Sequence, residues 1–194
     1  MSRTAPFPLQ LTIALPDWVR HTVDPGVQLH GDEARMRIAI NLARENVVRG
    51  TGGPFGAAIF EAGSGRLAGV GVNLVVPLNN SCLHAEVVAF MTAQAGRQSY
   101  TLAAPGLPAH ELFTSCEPCA MCLGASLWSG VKRVVWAATR DDADKLAFDE
   151  GPVFASSYKY LRRRGLSFTP EVLRAEAQQV FTLYGERGGE IYNA

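Results

Sequence analysis

The chain has 194 residues, 47% of them hydrophobic, with 18 basic against 18 acidic side chains and a formal net charge of zero. That length supports one well-buried core and does not demand a second domain. The charge balance excludes the basic footprint of a nucleic-acid binder or of a protein drawn to anionic membrane, and leaves a small neutral or locally anionic substrate as the expectation.

Residues 1–31 carry prolines at 6, 8, 16 and 25 and little periodicity, so an irregular N-terminal arm is expected there. With only Arg3 ahead of a short apolar run, Leu11 to Leu15, broken by Pro16, the arm lacks the form of a signal peptide. No stretch is long enough to span a bilayer. From Asp32, Met36, Ala39, Ile40, Ala43 and Val47 repeat at helical spacing until Gly50 closes an amphipathic helix. Phe55 to Phe60 reads as a buried strand, Ala62 to Gly65 as a turn, and Arg66 to Val76 as the hairpin partner. Asn73 interrupts that second strand, either as a solvent-facing residue or as a hydrogen-bonding group aimed into a cleft. After a loop from Pro77 to Cys82, His84 opens a helix that runs to about Ala95, with Gly96 as its stop.

The Ala-, Pro- and Gly-rich segment from Arg97 to Pro108 reads as a surface connection, and Glu111 to Thr114 as a short strand. Cys119 to Ser129 reads as a helix stopped by Gly130, followed by a β-branched strand from Val131 to Ala138. Strand, helix and strand in succession imply a right-handed crossover and parallel pairing. Phe154 to Arg164 reads as a helix, Leu166 to Phe168 as an edge strand, and Thr169-Pro170 as the start of a last helix through Leu173, Ala177, Val180 and Tyr184. A hairpin followed by βα units gives a single α/β domain over residues 32–194, with a mixed sheet covered by helices on both faces.

The chemistry concentrates in Ser115-Cys116-Glu117-Pro118-Cys119-Ala120-Met121-Cys122. Pro118 suits the first helical position, where a missing N–H costs nothing. Cys119 and Cys122 then fall on one face of the first turn, where the helix N-terminus favours the thiolate that ligates metal. His84 supplies a third ligand, and His84, Cys119 and Cys122 leave a tetrahedral Zn²⁺ one position open. Two thiolates weaken the acidifying effect of the ion on water, so a neighbouring base is needed, and Glu86 stands beside His84 in the same first turn. The competing reading is a closed structural site completed by Cys116 or Cys82, but Glu86 has no purpose in such a site, and both cysteines are expected to be small buried residues. The clustering of cysteines at 116, 119 and 122 points to metal binding in a reducing cytoplasm, not to a disulfide framework.

A His-x-Glu followed by Pro-Cys-x-x-Cys is the signature of the zinc nucleobase deaminases. With Thr114 to Ala125 and Phe148-Asp149-Glu150 added, the chain resembles the cytidine-deaminase-like superfamily, and within it the bacterial guanine deaminases. The resemblance implies a three-layer α/β/α fold with a mixed five-stranded sheet, one zinc per subunit, and a homodimer in which the C-terminal helix and tail close the active site. It makes Asn73 a contact to the purine edge, Phe55 a stacking face, Trp128 a pocket wall, and Tyr192 a residue of the closing tail. Glu150 matches an acidic residue that hydrogen-bonds the base and assists proton transfer; the familiar short form has Asp there, so the reach differs by one methylene. By themselves Phe55 and Trp128 read as core aromatics. The function implied is hydrolytic deamination of guanine to xanthine and ammonia in purine catabolism. The alternatives are deamination of guanosine or of an aminotriazine and, further off, a transfer-RNA adenosine deaminase or a domain with structural zinc only.

Overall fold

The computed structural model describes residues 8–192; the ends of the arm and of the tail, residues 1–7 and 193–194, lie outside the described residues. Five strands form one mixed sheet in the order β2-β1-β3-β4-β5: β1 Gly56–Glu61, β2 Leu67–Val72, β3 His110–Cys116, β4 Arg133–Ala138 and β5 Ser167–Thr169. β1 pairs antiparallel with β2 and β3, while β3–β4 and β4–β5 are parallel, as the crossover argument requires. The helices are α1 Val19–Thr22, α2 Asp32–Val48, α3 Ala85–Arg97, α4 Ala120–Ser129, α5 Arg140–Asp144, α6 Ala155–Arg163 and α7 Arg174–Glu186. Among the described residues, no helix is long and apolar enough to cross a membrane.

Alternation along the central strands builds two cores. Ala58, Phe60, Phe113 and Val135 pack into a core with α2 and α7, while Ala57, Ile59, Leu112 and Val134 pack into one with α3 and α4. All six residues of β1 are buried because it is covered on both faces. The result is the expected three-layer α/β/α arrangement. On β2, Gly71 lets α3 lie against the sheet: a Cβ there would come within 2.1 Å of the Ala85 carbonyl oxygen. That close approach seats the first turn of α3, which carries the candidate ligand and base.

The arm is less irregular than its prolines suggest, since α1 forms in it and Trp18, Val19 and Val23 are buried in the α2-side core. β2 ends at Val72 instead of Val76, because Asn73 leaves the ladder: its N–H donates to the Phe55 carbonyl and Leu74 N–H to that of Leu83. α5 is a short helix that the apolar pattern does not reveal; Thr139 and Asp142 form a capping box at its start. The last helix begins at Arg174 and not at Thr169-Pro170, because Thr169 pairs with Val135 in β5 and Leu173 takes a left-handed conformation, φ 59°.

Candidate active site

Two helix N-termini converge at one end of the sheet. His84 is the N-cap residue of α3 and Cys119 that of α4, both with extended backbone, so Pro118 precedes the cap and does not occupy the first helical position. Cys119 Sγ accepts a hydrogen bond from Cys122 N–H at 3.4 Å and lies 3.5 Å from His84 Nδ1. The ligand atoms of His84, Cys119 and Cys122 all lie within 4.8 Å of one another. Ligands at the ordinary Zn–N and Zn–S bond lengths stand roughly 3.5–3.8 Å apart around a tetrahedron, so this donor set fits zinc. Three protein ligands of N/S/S type make a catalytic set, not a closed one. The closed alternative fails on placement: the Cys116 thiol turns to the Thr139 carbonyl at 3.6 Å, and Cys82, expected to be buried, is exposed in the loop before α3.

Glu86 is the second residue of α3 and is buried. Burial raises its pKa first, and the negative charge of Cys119 adds to the effect. Cys119 is held down at about 4, chiefly by its hydrogen bond with Cys122, whereas the Cys122 thiol, bonded to Cys119 and desolvated, is pushed well above its usual range. The pair therefore shares one proton, which a divalent cation held by these residues would displace. For His84, burial lowers the pKa, but the hydrogen bond to Cys119 and the charge of Glu86 outweigh it and the net shift is upward. Glu150 is raised to about 8 by burial and then by the charges of Cys119 and Glu86. Its backbone carbonyl accepts from Ala120 N–H at 2.9 Å, which ties its loop to the first residue of α4.

Phe55, Asn73, His84, Glu86, Cys116, Glu117, Glu150 and Tyr192 line one recess of about 10 Å³, room for roughly a single water. Asn73 is thus the cleft-facing residue of the two readings. It is 1% exposed, its Oδ1 accepts from Val75 N–H at 3.3 Å, and its Nδ2 has no acceptor among the described residues. Phe55 packs edge-on against Phe148 at 5.1 Å between centroids and Phe148 edge-on against Tyr192 at 5.2 Å. The Tyr192 hydroxyl is buried and also lacks a partner among the described residues, and burial raises its pKa.

Trp128 is the exception. It stands 79% exposed near the end of α4 and lines a different groove, with Leu123, Val153 and Tyr160, so it is not a wall of its own chain's recess. Its place at the far end of α4 from Cys119 and Cys122 is the physical reason. Two residues were passed over by sequence reasoning. Glu117 lines the recess and accepts from the Tyr158 hydroxyl at 2.5 Å and from Arg140 at 3.1 Å, and its position inside the cysteine motif was the available signal. Asn46 is fully buried on the face of α2 that also carries Leu42, Ala43 and Val47, where a polar residue signals a fixed hydrogen-bond role.

Residues 29–138 match the cytidine and deoxycytidylate deaminase zinc-binding region. The chain belongs to this family. It is 38% identical to the guanine deaminase of Bacillus subtilis over 136 residues, which is 70% of this chain and 83% of that protein. The solved guanine deaminase from Nitrosomonas europaea superposes with a TM-score of 0.88 at 41% identity, covering 94% of this chain and all of that one. A solved mutant protein in complex with 8-azaguanine superposes with a TM-score of 0.87 at 42% identity over 92% of this chain and 98% of the other. As a member of the zinc-binding deaminases the chain is a zinc-dependent hydrolytic deaminase, and His84, Cys119 and Cys122 are the group that fits the ion.

Proposed function

We propose that this deaminase acts on guanine, replacing its exocyclic amine with a carbonyl to give xanthine and ammonia. The carrying observation is the convergence of one buried carboxyl, Glu86, on the His84–Cys119–Cys122 group, beside the recess that His84 and Glu86 line together with Asn73 and Glu150. The named activity of the Bacillus and Nitrosomonas relatives and the 8-azaguanine complex support the purine assignment.

Zinc, when bound, supplies Lewis acidity that readies a water for attack on the amine-bearing carbon. Glu86 takes the proton of that water, passes it to a ring nitrogen, and returns a second proton to the departing amine, acting as base and then acid. A carboxyl whose pKa is lifted by burial suits both halves of that cycle. The free Nδ2 of Asn73 donates to an acceptor on the purine edge, and the Phe55 ring gives it a flat face. Glu150, protonated below about pH 8, donates a hydrogen bond to the base and relays protons during turnover.

The recess is too small for a purine as it stands, and Tyr192 of the tail is one of its walls, so this reading has the tail open to admit the base and then close over it. The Tyr184 hydroxyl, which donates to the Glu190 carbonyl at 2.6 Å, is the latch for that tail. A homodimer is the assembly this reading carries. The exposed apolar surface of Trp128 and Tyr160 around the α4–α6 groove supports it and gives Trp128 an intersubunit place. Metal-binding thiols that must stay reduced support a cytoplasmic site of action in purine breakdown.

The test is ammonia release by zinc-loaded protein across guanine, guanosine, adenine, cytosine, cytidine and a diaminotriazine, each paired with Glu86→Gln. Turnover of guanine that disappears in the variant is expected. Turnover confined to another substrate would overturn the purine-base assignment while leaving Glu86 in place; turnover unchanged by the substitution would remove Glu86 from the mechanism.

A further inference from the structure

The proposed deamination assigns the N-terminal arm no role, and residues before 29 lie outside the matched zinc-binding region. Yet a hydrogen-bond chain runs from the arm to the substrate-facing wall. Trp18, 8% exposed, donates its indole N–H to Thr51 Oγ1 at 3.0 Å. Because that hydroxyl accepts the indole proton, its own proton is free for Asn46 Oδ1, 2.7 Å away. This fixes which way the Asn46 amide faces. Both protons of its Nδ2 are then used, on the Gly53 carbonyl at 2.9 Å and the Asn73 carbonyl at 3.0 Å. Gly52 makes the approach possible: its φ is +158°, and a Cβ there would fall 2.0 Å from the Asn73 carbonyl oxygen.

A fully buried amide among the apolar residues of α2 is costly unless each of its bonds is made, and here they are made to the backbone that aims Asn73. Asn73 sits just past the end of β2 and outside the ladder; its N–H is held by the Phe55 carbonyl and its Oδ1 by Val75 N–H, and Asn46 is the side chain that holds its carbonyl. We propose that Asn46, oriented by Thr51 and by Trp18 of the arm, is a positioning residue that sets the Asn73 side chain for the purine edge, so that the arm governs substrate affinity from outside the zinc-binding region. This rests on the reading of Asn73 as a substrate contact.

The experiment uses the zinc-loaded full chain with Trp18→Phe and Thr51→Val, each in the parent and in an Asn73→Ala background. Trp18→Phe keeps an aromatic ring in the core while removing the indole donor, so it avoids the folding risk of changing Asn46 itself. The readouts are kcat and KM for guanine and Kd for 8-azaguanine by calorimetry. One lost neutral hydrogen bond is worth about 1 kcal/mol, about a fivefold effect. Each change is expected to raise KM and Kd by about that factor with kcat within about twofold, and to move neither by more than about twofold once Asn73 is Ala. Unchanged KM and Kd in the parent, even with a lower melting temperature, would overturn the proposal, as would an equal shift in both backgrounds or a fall in kcat at constant KM. If Asn73→Ala alone matched the parent, the substrate reading of Asn73 would fail instead, and that result is visible without the arm variants.

Discussion

His84, Glu86, Cys119 and Cys122 reach the site from the first turns of two helices, whereas Phe55, Asn73, Glu150 and Tyr192 reach it from four separate irregular segments. The metal end is built locally: a cap residue and the turn behind it hold each pair of side chains, and α3 is pressed against the sheet by Gly71. The proposed substrate end is built by tertiary contacts, such as the Asn46 amide across two loops and the Ala120–Glu150 backbone bond. Under the proposed function, the reacting groups sit on regular secondary structure and the groups proposed to contact the substrate sit on loops. The contrast predicts that the two ends fail separately.

The largest effect should come from Glu86→Gln, which keeps the size and the helix but removes the proton carrier. Loss of a general acid–base group costs about 10²–10⁴ in rate. The expected result is a fall in kcat of at least that order with one zinc still bound, checked by steady-state kinetics beside metal analysis. Cys122→Ser breaks the metal end itself: zinc content should drop well below one per chain and activity with it. Asn73→Ala should do the reverse, keeping full zinc while kcat/KM falls about 10- to 100-fold, the cost of one to three kcal/mol of lost recognition. Zinc loss from Asn73→Ala would show that the two ends are one unit and break the comparison.

Glu150 gives a smaller, pH-dependent difference. Its pKa is raised from an ordinary carboxyl value of 4.5 to about 8, first by burial and then by the Cys119 and Glu86 charges. Between those limits the folded chain holds a proton that the unfolded chain has released, so this group's contribution to stability declines as pH rises from about 4.5 to 8. Cys119, lowered from 9.0 to about 4, works the other way, and its contribution grows as pH rises over nearly the same range. Total stability therefore hides both. The difference between Glu150→Gln and the parent isolates the first: in metal-free protein the variant should gain on the parent from about pH 5 to pH 8, measured by denaturant unfolding. A difference flat in pH would remove the shift. Zinc, by neutralising the thiolates that help raise Glu150, should move the crossover to lower pH.

The same division explains what was legible in the residues. The His-x-Glu and Pro-Cys-x-x-Cys spacings are short-range and pair ligand with helix turn, so the metal end could be assembled on paper, as could the parallel β3–β4 unit built around α4. Element boundaries moved where side chains override pattern, as at Asn73, which leaves β2 to bond Phe55, and at Leu173, which delays α7. Asn46 and Glu117 escaped because their partners are distant along the chain: Asn46 serves Asn73, and Glu117 serves Tyr158 on α6. Trp128, which the resemblance makes a pocket wall, lies at the far end of α4 from Cys119 and Cys122 and lines a different groove of its own chain.

The smallest effect sharpens the contrast from the other side. Cys82 precedes His84 by two positions and is chemically a zinc ligand, so proximity along the chain would enlist it. The Asn80 side chain accepts from Cys82 N–H at 3.0 Å and holds that residue in an exposed loop, outside the group whose donor atoms gather within 4.8 Å. Cys82→Ser should leave zinc at one per chain, kcat and KM unchanged within about twofold, and stability within about 0.5 kcal/mol, as for an exposed side chain without a structural role. A measurable loss of zinc would mean that the loop folds inward to complete a fourth protein ligand. The ion would then be closed to water, and the hydrolytic mechanism would have no place to begin.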